Sequence, residues 1–577
     1  MSFTKITTQA PADFLIDAVE TLRPWLDAEG RLLDPVVGEP TQYGTPYFAH
    51  AAACVCKRRH GARDPLWDAV LRATHASLDL LLQPDAPAWI SGIDRSTGAV
   101  SRINHRDFFW PAVLGVRHVA AQLDPNECDR LDRRIEAVDI EAAFHARPPS
   151  NWAAVWLTGE WRRLAVGLSP FDEAQFDRWL EGMFDWIDID RGLYREPGLP
   201  NAYDLFTRLH MLRLLNEGYA GTHADRLWRL ADTGLRRSLA VQLTDGSLAS
   251  GHRSAGQTWT LTAQAALFAL SARLIEGADG KAARAAAAAA LSGLTRARRD
   301  DGTLSPVQNA LPPEQRVGYE GYTADGHYTP LALSFLADAI DAGIDGGNAN
   351  PAGEGLWVDA DPIWRAVIKR AGTSIQIRAG EGNGYDGVGL TDACFAHHRI
   401  AWAGSAVTPC PKATRTLLNV GVAVTPTEGG QDQPASMVFT EPPSSFAATG
   451  DAAVTLATSG KGFGAYRLDA EIDTAGMITM HQATPGRRGI TACLIPYLRE
   501  TGSGGATTVE VVHQADHTAV VLAAGDERLR CRIEARARRA VHLPIGWESR
   551  RGLVGLLRLE LTEPVDRLTF VFEPQPD

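Results

Sequence analysis

Residues 341–362, DAGIDGGNANPAGEGLWVDADP, divide this chain into two textures. Glycine, proline, aspartate and asparagine dominate them, and runs of that composition cannot continue a helix or a strand. Upstream, apolar residues recur at i, i+3, i+4 and i+7 over 13–27, 67–83, 152–168, 174–188, 203–219, 225–242, 260–276 and 281–299, the period of amphipathic helices. Short polar breaks such as REPGLPNAYD and LSPFDEAQ part them. Downstream, short alternating runs with many β-branched residues follow, among them TSIQIRA, AVTLATS, GAYRLDAEI, TTVEVVH and RLTFVFEP. Period-2 alternation at regular spacing predicts an antiparallel sandwich. The expected architecture is therefore α then β: helices at 1–345, a linker at 346–372, and an antiparallel β-sandwich at 373–577.

The length of 577 residues exceeds what one core supports, which agrees with two domains. A hydrophobic fraction of 45% is that of a globular protein, and a net charge of −12 argues against nucleic acid or an anionic membrane as partner. No basic segment followed by an apolar stretch opens the chain, and no apolar run spans a bilayer. The cysteines at 54, 56, 128, 394, 410, 493 and 531 are odd in number and scattered, unlike a disulfide framework. A cytoplasmic setting is expected.

Several interhelical loops carry more chemistry than turning requires. Residues 245–259, DGSLASGHRSAGQTW, hold His252, Arg253, Gln257 and Trp259 among three glycines. An imidazole suits proton transfer near neutrality, and a guanidinium beside it offers a fork for a carboxylate. Asn104-His105-Arg106-Asp107 precedes Trp110; Asp107 serves as a helix cap, which leaves His105 and Arg106 for a cleft. Asn151-Trp152 opens a helix, with Ser150 or Asn151 as its cap and Glu160 read as a surface group. Asn201, Tyr203 and Asp204 lead into another, where Arg208 lies one turn beyond Asp204 and can pair with it. Residues 316–328 gather Arg316, Tyr319, Glu320, Tyr322, Asp325, His327 and Tyr328. Eleven of the fifteen tryptophans lie in the helical part, and Trp110, Trp152 and Trp259 adjoin polar loops, as suits sugar rings with apolar faces and polar edges. In the β part, His397, His398 and Arg399 with Asp386 or Asp392 form a weak candidate metal site, since adjacent strand residues face opposite ways.

An Asn-Trp helix start, a D-G-S…H loop and a trailing β domain together resemble the toroid polysaccharide lyases of the hyaluronate, chondroitin and xanthan type, and more loosely the heparinase-like group. The resemblance implies an (α/α) toroid or incomplete barrel joined to β-sandwich modules and β-elimination beside a uronic acid. Asn151 takes the place of the family's asparagine and His252 that of its histidine. The family's loop carries a tyrosine shortly after the histidine; here stand Gln257 and Trp259, so Tyr322 or Tyr319 is the substitute. On this reading Asn151 and Arg253 neutralise the substrate carboxylate, and His252 or Tyr322 takes the C5 proton. A tyrosine or His327 then protonates the leaving oxygen. His105, Arg106, Trp110, Trp152, Asn201, Tyr203, Arg208, Gln257, Trp259, Arg316, Tyr319, Glu320 and His327 bind an acidic oligosaccharide or polysaccharide, with no cofactor required and room for a structural ion. The lack of an export signal favours exo action on oligosaccharides or on a side-chain uronate such as glucuronate capped by rhamnose. The alternatives are a glycoside hydrolase on the same scaffold, with acids drawn from Asp204, Glu320 and Asp325, and a carbohydrate-binding protein without turnover.

Overall fold

The computed structural model describes residues 9–94, 97–344, 353–359, 362–379, 388–395, 421–424, 431–434, 439, 442–485, 489–503, 505–524 and 527–575. Two compact units divide the chain: 1–239 with 257–306 and 321–350, and 240–256 with 307–320 and 351–577.

The first unit is helical. Its helices are α1 (Pro11–Leu22), α2 (Gly44–Arg58), α3 (Trp67–Leu81), α4 (Phe109–Leu123), α5 (Pro125–Glu136), α6 (Ile140–Ala143), α7 (Asn151–Ala165), α8 (Glu173–Met183), α9 (Asn201–Asn216), α10 (Ala224–Val241), α11 (Thr258–Leu274), α12 (Gly277–Ser292) and α13 (Asp325–Asp341). Six of them, α2, α4, α7, α9, α11 and α13, pack each on the next, and α13 packs back on α2 to close the ring. Burial separates this inner set from the rest. Thr258 to Ala272 of α11 and all but two residues of α13 are buried, the mark of a helix covered on every side. The outer α1, α3, α5 and α8 each bury one stripe and show solvent a polar face. The result is an (α/α) toroid. Its closure needs glycine at one contact: a Cβ on Gly44 would stand 1.7 Å from the Gly326 carbonyl oxygen, so the first turns of α2 and α13 touch backbone to backbone.

The second unit is built of antiparallel sheets. Four strands run in order Gly355–Asp359, Arg365–Arg370, Thr373–Arg378 and Gly389–Phe395. A five-stranded sheet is ordered Gln433–Pro434, Gly421–Val424, Ile490–Glu500, Gly552–Val565 and Ala537–Ser549. The eight-stranded sheet runs Ser445–Gly450, Ala453–Gly460, Gly464–Ile472, Ile478–Ala483, Arg567–Gln575, Glu527–Ile533, Thr518–Ala524 and Thr508–His513. Alternation works as expected in Ile478–Ala483, where every second residue is buried. Ile375, Ile377 and Leu390 of the first sheet, Val422, Cys493 and Leu557 of the second, and Leu468, Ile478 and Phe570 of the third share one apolar core, which makes the unit a sandwich.

Two expectations change. Residues 346–372 are not a plain linker: they include the strands Gly355–Asp359 and Arg365–Arg370, paired with each other. Segments 240–256 and 307–320, read as interhelical loops of the helical domain, group with the sheets. Their polar groups are satisfied there: Thr244 donates its backbone N–H to Ser374 Oγ (3.0 Å), and Ala310 N–H donates to the Thr501 carbonyl (2.8 Å). His397, His398, Arg399 and Asp386 lie outside the described residues. Asp392 accepts from the Ser250 backbone N–H and from its hydroxyl, each at 2.8 Å. Among the described residues no helix is long and apolar enough to cross a membrane.

Candidate active site

All six inner helices begin at the same end of the toroid, and their entry residues form one connected group. Tyr43, just before α2, stacks on Phe108, just before α4 (centroids 4.4 Å apart), and meets His105 edge-on at 6.0 Å. His105 lies 4.4 Å from Trp152 in the first turn of α7, and Phe108 lies 5.8 Å from Phe206 in α9. Phe206 meets Trp259 of α11 at 5.6 Å, and Trp259 stacks on Tyr328 of α13 at 6.5 Å. Tyr328 and His327 return to Tyr43 at 6.2 and 5.5 Å, and Tyr322 lies 6.3 Å from Tyr328. The first turn of each helix leaves backbone N–H groups unpaired along its axis, so six helix starts at one end favour a negatively charged guest. His105, Trp152, Tyr203, Trp259, Tyr322 and His327, singled out from five separate segments, thus come together with Asn151 and Asn201, the opening residues of α7 and α9. Tyr328 and His327 sit in the first turn of α13 rather than in a loop.

Tyr43 is the centre of this group, and sequence reasoning missed it. It stands in TQYGTPYF with no neighbouring charge to mark it; the signal was Gly44, which permits the close approach that delivers it. Burial drives its phenol well above the ordinary value, opposed by a hydrogen bond from Tyr328. His105 is half-buried, its Nδ1 has no hydrogen-bond partner among the described residues, and loss of water pushes its pKa down to about 4. It is therefore a neutral imidazole at ordinary pH, and burial makes it a weaker base than a solvated histidine. His327 holds the Tyr322 carbonyl through Nε2 at 2.8 Å.

Other predicted binders are committed to the scaffold. Arg106 donates to the carbonyls of Leu80, Gln83 and Ala86, capping the end of α3 and the turn after it. Trp110 is fully buried and donates to Glu160 Oε2 at 2.9 Å; Glu160, expected on the surface, is itself buried beside Arg163. Arg208 grips Asp204 with two nitrogens at 2.9 Å each and reaches the Gly234 carbonyl at 2.8 Å. Gln257 is spent between Trp259 Nε1 (2.6 Å) and Thr323 Oγ1 (3.0 Å). The Asn151 amide donates to the Glu196 carboxylate. These side chains were expected to bind substrate and instead hold the scaffold together: the Asp204–Arg208 pair is the one-turn pairing the spacing suggested, whereas Arg106, Trp110 and Asn151 find partners well separated in sequence.

His252, Arg253, Arg316, Tyr319 and Glu320 belong to the second unit. His252, Ser254 and Arg316 have φ of 62°, 65° and 49°, left-handed values that cost side-chain-bearing residues energy and persist only where the surroundings impose them. Arg316 lies over the Tyr319 ring at 5.2 Å. Glu320 is fully buried, paired with Arg550 at 3.0 Å, and accepts from the Ser254 N–H at 3.4 Å.

The His105 shift has a thermodynamic consequence. An unfolded imidazole titrates near 6.5, whereas folded His105 resists protonation down to about 4. The unfolded chain binds the proton first, so this side chain costs no stability above roughly pH 6.5 and costs progressively more as pH falls toward 4. A His105→Gln variant is expected to gain stability relative to wild type over that window. Denaturant midpoints of the two proteins, measured at both ends of it, check this; a constant difference would refute it.

No protein-family model matches the chain, and no curated protein matches it. Among solved structures it is similar to a glycosyl hydrolase family 88 protein from Bacteroides vulgatus, with a TM-score of 0.40 and 11% identity over 57% of this chain and 98% of that one. A polysaccharide lyase gives 0.39 and 10% over 57% and 96%. Heparinase III gives 0.39 and 10% over 87% of this chain and 84% of its own. Identities this low leave the activity to be read from the side chains themselves.

Proposed function

We propose that this protein is a polysaccharide or oligosaccharide lyase that breaks a glycosidic bond beside a uronic acid by β-elimination. The observation that carries this reading is the convergence of phenols, imidazoles and indoles at the helix-start end of the toroid. The carboxylates a hydrolase would need are instead committed: Asp204 to Arg208 and Arg237, Asp325 to Arg299 at 2.7 Å, and Glu320 to Arg550. An acid held as a buried ion pair keeps its charge and makes a poor proton donor; Asp204 is held below the usual carboxylate range, the two guanidinium groups outweighing burial.

In the proposed reaction the indole of Trp152 offers an apolar face to a sugar ring. Neutral His105 accepts the C5 proton, and Tyr322, half-buried at the edge of the group, returns one to the departing glycosidic oxygen. The helix starts favour the substrate carboxylate and the enolate-like charge that develops on it, the kind of preorganised stabilisation worth roughly 3–4 kcal/mol per donor. For the second unit, taken by itself, the adjacent imidazole and guanidinium of His252 and Arg253 are proposed to recognise a carboxylate-bearing sugar.

The test is incubation with a panel of uronic-acid oligosaccharides and polysaccharides. A lyase releases an unsaturated uronide that absorbs in the ultraviolet. New reducing ends without that absorbance would establish a hydrolase instead, and tight binding with neither product would leave a carbohydrate-binding protein.

A further inference from the structure

The His252 loop is held from both ends by two consecutive arginines. Arg550 and Arg551 form the turn between the strands Ala537–Ser549 and Gly552–Val565. Arg551 grips the start of the loop, 3.2 Å from Asp245 and 2.9 Å from Ser247 Oγ. Asp245 also accepts from the Ser247 N–H at 3.0 Å. Arg550 acts at the far end through Glu320, which accepts from the Ser254 N–H. Two glycines with φ near 80° make room for it: a Cβ on Gly256 would come within 3.2 Å of Arg550 Cβ, and one on Gly318 within 2.6 Å of the Ser549 carbonyl. Between these anchors Ser250 is tied to Asp392, and its carbonyl accepts from Gln376 at 2.8 Å. His252 and Ser254 hold their left-handed backbone inside this frame.

We infer that the Arg550-Arg551 turn is a splint that sets the conformation of the His252 loop, so that the sheet unit positions His252 and Arg253 for the carboxylate they recognise. The inference rests on the proposed role of that loop. Both arginines and Glu320 are buried, and the Asp245 side chain is only 12% exposed, so each bond is largely shielded from water and salt and its loss is felt locally. They are positioning residues: they act on His252 through Glu320, Ser254, Asp245 and Ser247.

Hydrogen exchange and histidine titration on the full chain test it without a substrate. In Arg551→Gln, amides of 245–256 are expected to exchange at least about tenfold faster, while those of the Ala453–Gly460 and Gly464–Ile472 strands stay as in wild type. The His252 imidazole, identified in carbon-labelled-histidine spectra by its loss in His252→Asn, is expected to change its titration midpoint. Arg551→Lys, which keeps the charge on Asp245, restores part of both. Glu320→Gln is expected to behave alike from the other end, and Arg467→Gln, which removes an exposed ion-paired arginine of the eight-stranded sheet, changes neither. If Arg551→Gln does not fold, Glu320→Gln carries the same reading. Unchanged exchange and titration, or a rise in exchange spread evenly over the sheets, would overturn the splint. The loop's own role is judged separately: His252→Asn that leaves product release intact defeats that role, whatever the arginines do.

Discussion

His105→Ala is expected to lower turnover by about 10²–10⁴-fold, the usual contribution of a positioned general base, while leaving the melting temperature within a few degrees. The imidazole is half-buried against Tyr43, Phe108 and Trp152, and its Nδ1 has no hydrogen-bond partner among the described residues. A buried polar atom left unpaired costs stability unless something else satisfies it; a substrate proton is one candidate. Removing the ring therefore costs contacts with three aromatics but relieves an unpaired polar atom, and the two nearly offset. The rate effect is expected in kcat more than in KM, because a base acts as the transition state forms. The signature is a shift in the acidic limb of the pH profile when His105 is replaced by Gln. Full activity in His105→Ala would remove it from the reaction and return proton abstraction to Tyr322 or the Tyr43–Tyr328 pair.

Asp204→Ala is expected to be the most damaging single substitution for stability, about 3–5 kcal/mol. Its carboxylate accepts from Arg208 at 2.9 Å on each oxygen, from Arg237 at 3.4 Å and from the Tyr194 N–H at 2.8 Å. All three charged side chains are buried, so the substitution strands two guanidinium groups away from water. Asp204→Ala with Arg208→Met together should recover part of the loss, because an uncompensated buried charge is then removed. Thermal and urea unfolding measure this. A loss below about 1 kcal/mol would mean the pair is solvated, and loss of activity at unchanged stability would reopen Asp204 as a hydrolytic acid.

The periodicities were enough to place most helices within a few residues: 67–83 was expected and Trp67–Leu81 found, 225–242 against Ala224–Val241. Side-chain roles were harder. His105 and Arg106 are neighbours in one loop and equal candidates on sequence, yet one faces Trp152 and the other caps α3. One residue of displacement at a helix entry rotates the side chain toward or away from the ring, and nothing local encodes which. Tyr43 shows the converse, a residue with no distinguishing neighbours that the fold makes central.

From the one-dimensional pattern alone came the α-then-β order, the positions of most helices, and the concentration of histidine, tyrosine and tryptophan at helix entries, because periodicity and capping are local properties of the chain. Which of those groups meet, and which are neutralised by a distant arginine, depended on the tertiary packing of each unit. Asp204 finds Arg237, Asp325 finds Arg299 and Glu320 finds Arg550 only after segments far apart in sequence are packed together. Burial then sets the electrostatics: the same desolvation that leaves His105 neutral makes the Asp204 carboxylate depend on its two arginines.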